Sequence, residues 1–317
     1  MKIFCTFLVQ CITAWTLQVG AAQAFPVRTV KLIVPSNAGT MNSAIARLMA
    51  DRLAQRWNVP VVVEHKPGGG GAIAVNAMLQ APTDGHTLLW GSTMLVAPSD
   101  NPNTPSRVQT DQLLPLTLLG EGAVFLFARS NFPGTTAQEI QKLSLIAKGL
   151  SCGHGGGITK IACTALSPAG VGQFQAVGYQ SAVQALPDLV DGRLDLYFAP
   201  LHPAFRPLLQ SGKVRLIARS IAVPGAPAEF AGVPLLSDSD PRLQLVNWLG
   251  AVLVSQATPS HHMQILYESI HEAAAAPEIV RLMNDNGFRT LLPTPEVFQT
   301  MWLQERARLS SLANGTR

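Results

Sequence analysis

Four short segments of small residues are the places where this sequence could bind a ligand. Each follows an apolar run typical of a buried strand and precedes a segment with helical spacing. The first turn of a helix exposes unpaired N–H groups and a partial positive charge, and small residues let a ligand approach that backbone closely. The pattern therefore predicts anion binding without charged side chains, at Ser36–Ser43, Gly68–Ala72, Gly91–Thr93 and Cys152–Gly157.

Sequence motifs for cofactor-dependent or hydrolytic enzymes are absent or incomplete. Gly69-x-Gly71-x-x-Ala74 imitates a dinucleotide fingerprint, but Lys66 and Pro67 separate it from the preceding strand. No acidic residue follows the next strand at the distance that would bind a ribose. Walker A, Gly-x-Ser-x-Gly and His-Glu-x-x-His patterns do not occur. We expect no cofactor.

Two histidine-containing pairs are the remaining candidates for chemistry. Cys152 and His154 stand two residues apart without an orienting acid, so a structural or ligand-contact role is expected rather than catalysis. His261-His262 is expected to be the exposed start of a helix rather than a metal site. The chain is predicted to bind no metal.

Composition narrows the class of protein. The chain has 317 residues, of which 47% are hydrophobic and 13% charged, so it is globular rather than disordered. Its formal net charge of +4 is not accompanied by a Lys/Arg cluster, so no nucleic-acid partner is expected. The length suggests two domains.

The first 24 residues are predicted to be a cleaved signal peptide. Lys2 supplies the positive start, an apolar stretch follows, and Ala22-Gln23-Ala24 is a small-x-small cleavage site. The alternative is an N-terminal membrane anchor, which the polar residues within the stretch disfavour. Lipidation of Cys11 is disfavoured because Gln10 precedes it. After export, Cys152 and Cys163 would remain in an oxidising compartment, where they could form a disulfide that spacing alone does not decide.

The elements that position the four segments alternate between strands and helices. This alternation predicts an α/β fold with largely parallel sheets, in which ligands bind beyond the carboxyl ends of strands. Asn42 or Ser43 is expected to cap the first helix. Strands are predicted at 30–34, 61–63, 87–90, 124–128, 174–179, 196–199, 214–220 and 248–254, with 151–157 as a Gly-rich loop after a weak strand. Helices are predicted at about 43–57, 72–80, 137–147 and 181–190. Another helix is predicted to end with 208–211, before Gly212, and two more close the chain at about 260–275 and 296–312.

An ordered set of phrases along the chain resembles the Bug (Bordetella uptake gene) family, the periplasmic substrate-binding proteins of tripartite tricarboxylate transporters. The resemblance covers essentially the whole chain after residue 24. It is carried by Leu32-Ile33-Val34-Pro35, Val61-Val62-Val63-Glu64-His65-Lys66-Pro67-Gly68, Ala81-Pro82-Thr83-Asp84-Gly85-His86-Thr87, Leu189-Val190-Asp191-Gly192-Arg193-Leu194-Asp195, Ser211-Gly212-Lys213-Val214-Arg215 and Trp248-Leu249-Gly250.

The resemblance implies a two-lobed periplasmic binding protein of the second type, with the ligand in the cleft between lobes. Lobe 1 is expected at 25–122 plus 247–317, and lobe 2 at 123–246. The implied function is to capture a small carboxylate and deliver it to membrane permease subunits, as a monomer and without catalysis. The alternatives are a secreted α/β enzyme with its site in the same cleft and a repurposed paralogue acting in a sensor.

Ligand contacts are expected from the loops at the cleft. This sequence departs from the family pattern there: Ser43 replaces an Asp, Thr40 and Met41 replace glycines, and Ala199 replaces an Asp. We therefore expect a carboxylate without a free amine. The predicted ligand-binding residues are Ser36, Asn37, Ala38, Gly39, Asn42, Ser43, Gly70, Gly71, Ala72, Ser92, Thr93, His154, Gly155, Gly156, Tyr179, Gln180 and Ala199.

Overall fold

The structure is a computed structural model that describes residues 25–97, 110–147, 149–167, 174–202, 204–223, 230 and 232–315, with side chains to residue 312. The predicted signal peptide and membrane-anchor alternative at 1–24 lie outside these residues. Within the described ranges, no helix is long and apolar enough to cross a bilayer.

Eleven strands and nine helices make up the described part of the chain. The strands are β1 (Val30–Val34), β2 (Val61–His65), β3 (Thr87–Ser92), β4 (Leu113–Ala123), β5 (Phe125–Arg129), β6 (Ser151–His154), β7 (Gln175–Gly178), β8 (Leu196–Ala199), β9 (Val214–Arg219), β10 (Val246–Ser255) and β11 (Phe288–Thr290). The helices are α1 (Met41–Trp57), α2 (Ala72–Leu79), α3 (Ala137–Ile146), α4 (Gly157–Ala165), α5 (Ala182–Val190), α6 (Phe205–Gln210), α7 (Ser260–Ala274), α8 (Pro277–Asp285) and α9 (Pro295–Gly315).

The expected elements form, with two corrections and several additions. The segment 151–157 is not a loop, because Ser151–His154 is a strand and α4 starts at Gly157. The cap of α1 is neither Asn42 nor Ser43 but Thr40, whose extended backbone lets its hydroxyl accept the Ser43 N–H. A third closing helix, α8, lies between the two predicted ones. Strands β4 and β11 were not predicted.

Two sheets carry these strands. The first has the order β11-β4-β10-β3-β1-β2, and the second has the order β7-β6-β8-β5-β9. The expectation of largely parallel sheets is wrong: four strand pairings are parallel and five are antiparallel within the described residues. The parallel pairings are those of β1, β2 and β3 and those of β6, β7 and β8. Antiparallel pairs enter because β4, β5, β9 and β10 carry the chain between the sheets and back.

The chain passes from one sheet to the other at two places. Val124 alone separates β4 from β5, and the segment after β9 returns to the first sheet at Val246, where β10 begins. Helix α9 packs against both β4 and α4, so it touches elements of both sheets. Assigning the two sheets to separate lobes that divide at 122/123 and 246/247 stays a prediction.

The second sheet is braced by one carboxylate and one disulfide. Asp195 accepts from the Ser151 N–H at 2.9 Å and from Nε of Arg129 at 2.8 Å, which joins the starts of β6 and β8 to the end of β5. Cys152 on β6 and Cys163 on α4 form a disulfide, with Cα atoms 5.8 Å apart and both residues fully buried. The question that the cysteine spacing left open is therefore decided in favour of the bridge.

The segment Phe25–Arg28 is bound firmly to the first sheet. The Phe25 ring is buried and stacks on His262 with centroids 3.8 Å apart. The Val27 N–H donates to Nε2 of His86 at 3.3 Å, so the hydrogen of the neutral ring sits on Nδ1. Burial lowers the pKa of His86, although the Asp84 carboxylate beside it acts in the opposite direction.

This histidine should make stability depend on pH. Because the folded-state pKa of His86 lies below its value in the unfolded chain, the unfolded state binds more protons in the window between the two values. Its contribution is complete above about pH 6.5 and is lost as pH falls towards the folded pKa. We expect the free energy of unfolding, measured in urea, to fall from pH 7.5 to 5 (an approximate window).

The variant His86→Gln, which offers an acceptor but does not titrate, should show a shallower fall. His261→Gln is the matched control, since His261 is exposed and lies in the first turn of α7. It should keep the wild-type slope. Burial also lowers the pKa of His271, so part of the slope should survive in His86→Gln. Equal slopes in both variants and the wild type would contradict the assignment.

Candidate ligand-binding site

The carboxyl ends of three parallel strands meet at one edge of the first sheet. Val34 at the end of β1 pairs with His65 at the end of β2, and Ile33 pairs with Leu89 of β3. The three predicted segments that follow these strands therefore leave the sheet side by side. This edge is where open α/β sheets bind ligands.

Gly71 lies where the second segment packs against the other two. Its backbone has φ +100°, and a Cβ built there would lie 2.9 Å from Cδ2 of Leu95 in the turn after β3, and 3.8 Å from Cβ of Pro35 after β1. Gly68, Gly69 and Gly70 also have positive φ. Only glycine supplies both the left-handed backbone and the space at Gly71, so this residue allows the segments to pack closely, and ligand approach at the glycines stays a prediction.

The fourth segment, from the second sheet, reaches the same place. A Cβ on Gly157, the first residue of α4, would lie 4.0 Å from Cβ of Ala97, just after the turn that follows β3. The start of α4 is thus in van der Waals range of the first sheet's loops. The Gly68–Ala72 segment and the start of α4 therefore both lie beside the turn after β3.

His65 organises the first of these loops. Its Nδ1 lies 2.8 Å from the carbonyl oxygen of Ser36, which can only accept, so Nδ1 carries a hydrogen. Its Nε2 lies 3.3 Å from Oγ of Ser43, which donates to it when the ring is neutral. The Thr40 hydroxyl donates to the Asn37 carbonyl at 3.1 Å and accepts the Ser43 N–H. Several acceptors of the loop are therefore occupied from within.

Asn42 presents donors rather than acceptors. The indole N–H of buried Trp90 donates to Oδ1 of Asn42 at 3.2 Å, which fixes the side-chain amide with its NH2 group turned away from the indole. The amides of Met41 and Asn42 belong to the first turn of α1, where no preceding helical carbonyl is available. This part of the site suits a ligand rich in acceptors.

Ala38 and Gly39 lie on the exposed part of the same loop, and Ser36 is partly buried. Gly70 belongs to a 3₁₀ turn at Gly69–Gly71, and Ala72 begins α2, with its N–H donating to the Gly69 carbonyl. The predicted residues of the first two segments thus lie together at the starts of α1 and α2.

Ser92 at the end of β3 and Thr93 at the start of the following turn form hydrogen bonds mainly within the protein. Ser92 is at the start of the turn and its hydroxyl accepts the Met94 N–H at 3.4 Å. The Thr93 hydroxyl donates to the Val246 carbonyl at 3.2 Å and accepts the Trp248 N–H at 2.6 Å. Thr93 is 1% exposed, so its hydroxyl joins β3 to β10.

Three predicted residues of the second sheet follow one register row. His154 of β6 pairs with Gly178 of β7 and with Phe198 of β8, so Gly155, Tyr179 and Ala199 each come one residue after that row. Their backbones therefore lie together at the carboxyl edge of the parallel part of this sheet. Ala199 is itself buried and pairs with Phe125 of β5.

The amides of the loop after β6 are satisfied within the protein. The Gly155 N–H donates to the Thr159 hydroxyl at 3.0 Å, and the Gly156 N–H donates to Nδ1 of His154 at 3.1 Å. Nδ1 of His154 is therefore an acceptor, and the hydrogen of the neutral ring is on Nε2. Gly155 and Gly156 hold the loop in shape with their N–H groups, so a ligand would reach this side through other groups.

Tyr179 and Gln180 likewise form hydrogen bonds with residues of the following helix, α5. The Tyr179 hydroxyl donates to Oδ2 of Asp188 at 2.9 Å, and the Gln180 N–H donates to the Gln184 side chain at 3.2 Å. Burial, together with the hydrogen bond to Asp188, raises the pKa of Tyr179 to about 12. The hydroxyl is thus neutral and oriented by Asp188.

Ser43 and His65 are the nearest approach to a nucleophile and base at this site. The hydroxyl faces Nε2, but the orienting partner of Nδ1 is a backbone carbonyl rather than a carboxylate, and Ser43 is 1% exposed. A buried oxygen cannot reach a substrate. No group of three or more His, Cys, Asp or Glu residues in the described ranges is placed to hold a metal ion.

The residues that sequence reasoning missed act on partners distant in the chain. His65 was noted only within a family phrase, yet it holds Ser36 and Ser43, 29 and 22 residues away. Trp90 holds Asn42 across 48 residues. The one signal available was their position at strand ends beside the predicted loops.

Comparison with known proteins agrees with this arrangement. The family model described as "Tripartite tricarboxylate transporter family receptor" matches residues 45–312. The chain belongs to this family. The predicted resemblance and fold class are therefore confirmed, and the family is one of solute receptors rather than enzymes.

Individual relatives cover almost the whole chain. BugT of Bordetella pertussis is 26% identical over 87% of this chain and 85% of its own length. A solved structure described as a periplasmic transporter is 26% identical, with a TM-score of 0.76 over 92% of this chain and 98% of that one. MatC of Rhodopseudomonas palustris, described with bound malate, is 25% identical, with a TM-score of 0.71 over 91% and 99%.

The packing around Gly71 can be tested by substitution. Gly71→Ala places a methyl group against Leu95 on a left-handed backbone, and we expect it to lower the free energy of unfolding in urea. Gly212→Ala is the matched control, because Gly212 also has positive φ (+68°) but a Cβ there meets nothing within 4 Å. The backbone penalty is common to both, so Gly71→Ala should cost about 1–3 kcal/mol more through overpacking. Equal losses would show that the loops are not closely packed at Gly71.

Proposed function

We propose that this chain is a periplasmic receptor that captures a small carboxylate at these loops and delivers it to membrane permease subunits. The observation that carries the proposal is the set of donors at the start of α1, where the Asn42 side chain can only donate, beside the edge at which the three parallel strands end. Helix N-termini favour anions by their dipole and by their unpaired N–H groups. The malate-bound relative MatC, from the same fold, supports a dicarboxylate-sized ligand.

The donors on the first-sheet side are the amides of Met41 and Asn42 at the start of α1 and the side-chain amide of Asn42. The indole of Trp90 occupies the acceptor end of Asn42, so the free end of that side chain can only donate. A carboxylate offers acceptors alone and matches this polarity. An ammonium group does not, because several acceptors of the Ser36–Ser43 loop are engaged and Ser43 brings no charge.

Within this proposal the chain binds its ligand without changing it, works as a monomer and is exported. Export rests on the signal-peptide pattern at 1–24, with cleavage after Ala24. A soluble receptor then shuttles between ligand and permease. A sensor role would use the same site and differ only in the membrane partner, and an enzyme would need a group that reacts.

The proposal is tested by calorimetry of the exported protein against a panel of paired ligands. Succinate and malate should bind, whereas aspartate should bind at least about tenfold more weakly, since its ammonium group meets donors and would lose its hydration without a partner. Mass spectrometry of the same samples should return each ligand unchanged. Absence of heat with every carboxylate, or conversion of a ligand, would overturn the proposal.

The role of residue 43 has a direct test. Ser43→Asp introduces a carboxylate beside the donor-rich loop, so it should weaken dicarboxylate binding by roughly 1–3 kcal/mol through like charge and loss of the His65 contact. Ser43→Ala removes the contact without adding charge and is the control. If both variants bind alike, with folding verified by circular dichroism, the charge at residue 43 has no bearing on the ligand.

A further inference from the structure

The two passages between the sheets are tied together by one buried serine. Ser220 follows β9 and is 0% exposed. Its N–H donates to the Val124 carbonyl at 2.9 Å, and its Oγ accepts the Val124 N–H, also at 2.9 Å. The same hydroxyl donates to the Leu245 carbonyl. Val124 is the first passage and Leu245 directly precedes β10 in the second, so one side chain bonds to both.

Thr93 holds the second passage from the other side. Its hydroxyl donates to the Val246 carbonyl and accepts the Trp248 N–H at 2.6 Å, and the residue is 1% exposed. Thr93 begins the turn after β3, which carries Leu95 beside Gly71 and is followed by Ala97 beside Gly157. This turn is therefore connected by hydrogen bonds to the passages between the sheets.

If the sheets rotate relative to one another, the backbone angles must change at Val124, Leu245 and Val246. In two-lobed proteins a few such residues absorb the change in backbone angles. A hydroxyl that bonds both passages restricts these changes to combinations that keep the two passages together. A core serine with a purely local role looks different: Ser144 is 5% exposed and donates only to Gln141 of its own helix, at 2.7 Å.

We propose that Ser220 and Thr93 form a hinge clasp, in which the Ser220 hydroxyl locks the two passages to each other and the Thr93 hydroxyl locks the second passage to the loop that meets the ligand. The clasp confines the lobes to rotation about one axis and couples that rotation to the loop after β3. It rests on the proposed binding function. Ser220 is a positioning residue, since full burial keeps it from the ligand.

The clasp is tested without any ligand, by the spread of distances between the lobes. Spin labels are placed by Arg47→Cys on α1 and Val183→Cys on α5, both exposed positions. Cys152 and Cys163 do not react, because they are buried and joined in a disulfide. Pulsed electron paramagnetic resonance on the exported protein then gives the distance distribution. We expect Ser220→Ala to broaden it at least about 1.5-fold, because more hinge conformations become accessible.

The controls separate a hinge from general packing. Ser144→Ala, which also removes a buried hydroxyl, should keep the wild-type width. Thr93→Val should broaden the distribution and Thr93→Ser, which keeps the hydroxyl, should not, and this pair decides the question if Ser220→Ala fails to fold. Wild-type widths in Ser220→Ala and Thr93→Val, or equal broadening in Ser144→Ala, would overturn the proposal.

A second arm measures affinity for succinate by calorimetry. If the clasp is lost, only a fraction of the molecules is competent to close around the ligand. The apparent Kd rises by the inverse of that fraction, so it is about tenfold higher when one molecule in ten is competent. Ser220→Ala should show this loss and Ser144→Ala should not. If the wild-type protein does not bind succinate, the proposed ligand class is contradicted. The widths of the distance distributions test the clasp independently of that result.

Discussion

The absence of a side chain at Gly71 is the constraint on which the site depends. Its backbone is left-handed, and a side chain there would collide with Leu95. Without one, the loops after β1, β2 and β3 can pack against each other at one edge of the sheet. Backbone amides have short reach, so a site that relies on them works only if the helix starts crowd together. With charged residues at 13% of the chain, the protein has few alternatives to this arrangement.

Much of this could be predicted from local sequence. A strand, a small-residue loop and a helix start are neighbours in the chain, so β1, β8 and the four segments were found from pattern alone. Strand β4 was missed because Pro115, Gly120 and Gly122 interrupt its apolar run, and its partners β10 and β11 lie more than a hundred residues away. The mixed sheets follow from the same cause, since the direction of a returning strand is a property of the whole chain.

The chemistry of the site was less accessible than its location. Pattern suggested that the amides of Gly155 and Gly156 are free donors, yet His154 and Thr159 use them. Thr93 was predicted as a ligand contact, which stays a prediction, and the structure shows that its hydroxyl bonds to β10. A hydroxyl or amide shows its type in the sequence but not its partner, and these partners lie between 2 and 155 residues away in the chain. The family resemblance predicted a ligand cleft, but the donors that remain for a ligand depend on hydrogen bonds that only the three-dimensional structure shows.

The strand order of the first sheet has a consequence for how the chain matures. Strand β10 lies between β3 and β4, so a segment from the last quarter of the sequence separates two strands from the first half. A polypeptide that emerges through a translocase from its N-terminus cannot close this sheet until Val246–Ser255 has crossed. The second sheet, whose strands lie within 125–219, is complete in one continuous stretch and can fold while the rest is still in transit. During that interval β3 has an open edge, and unpaired edges of this kind favour pairing with other chains.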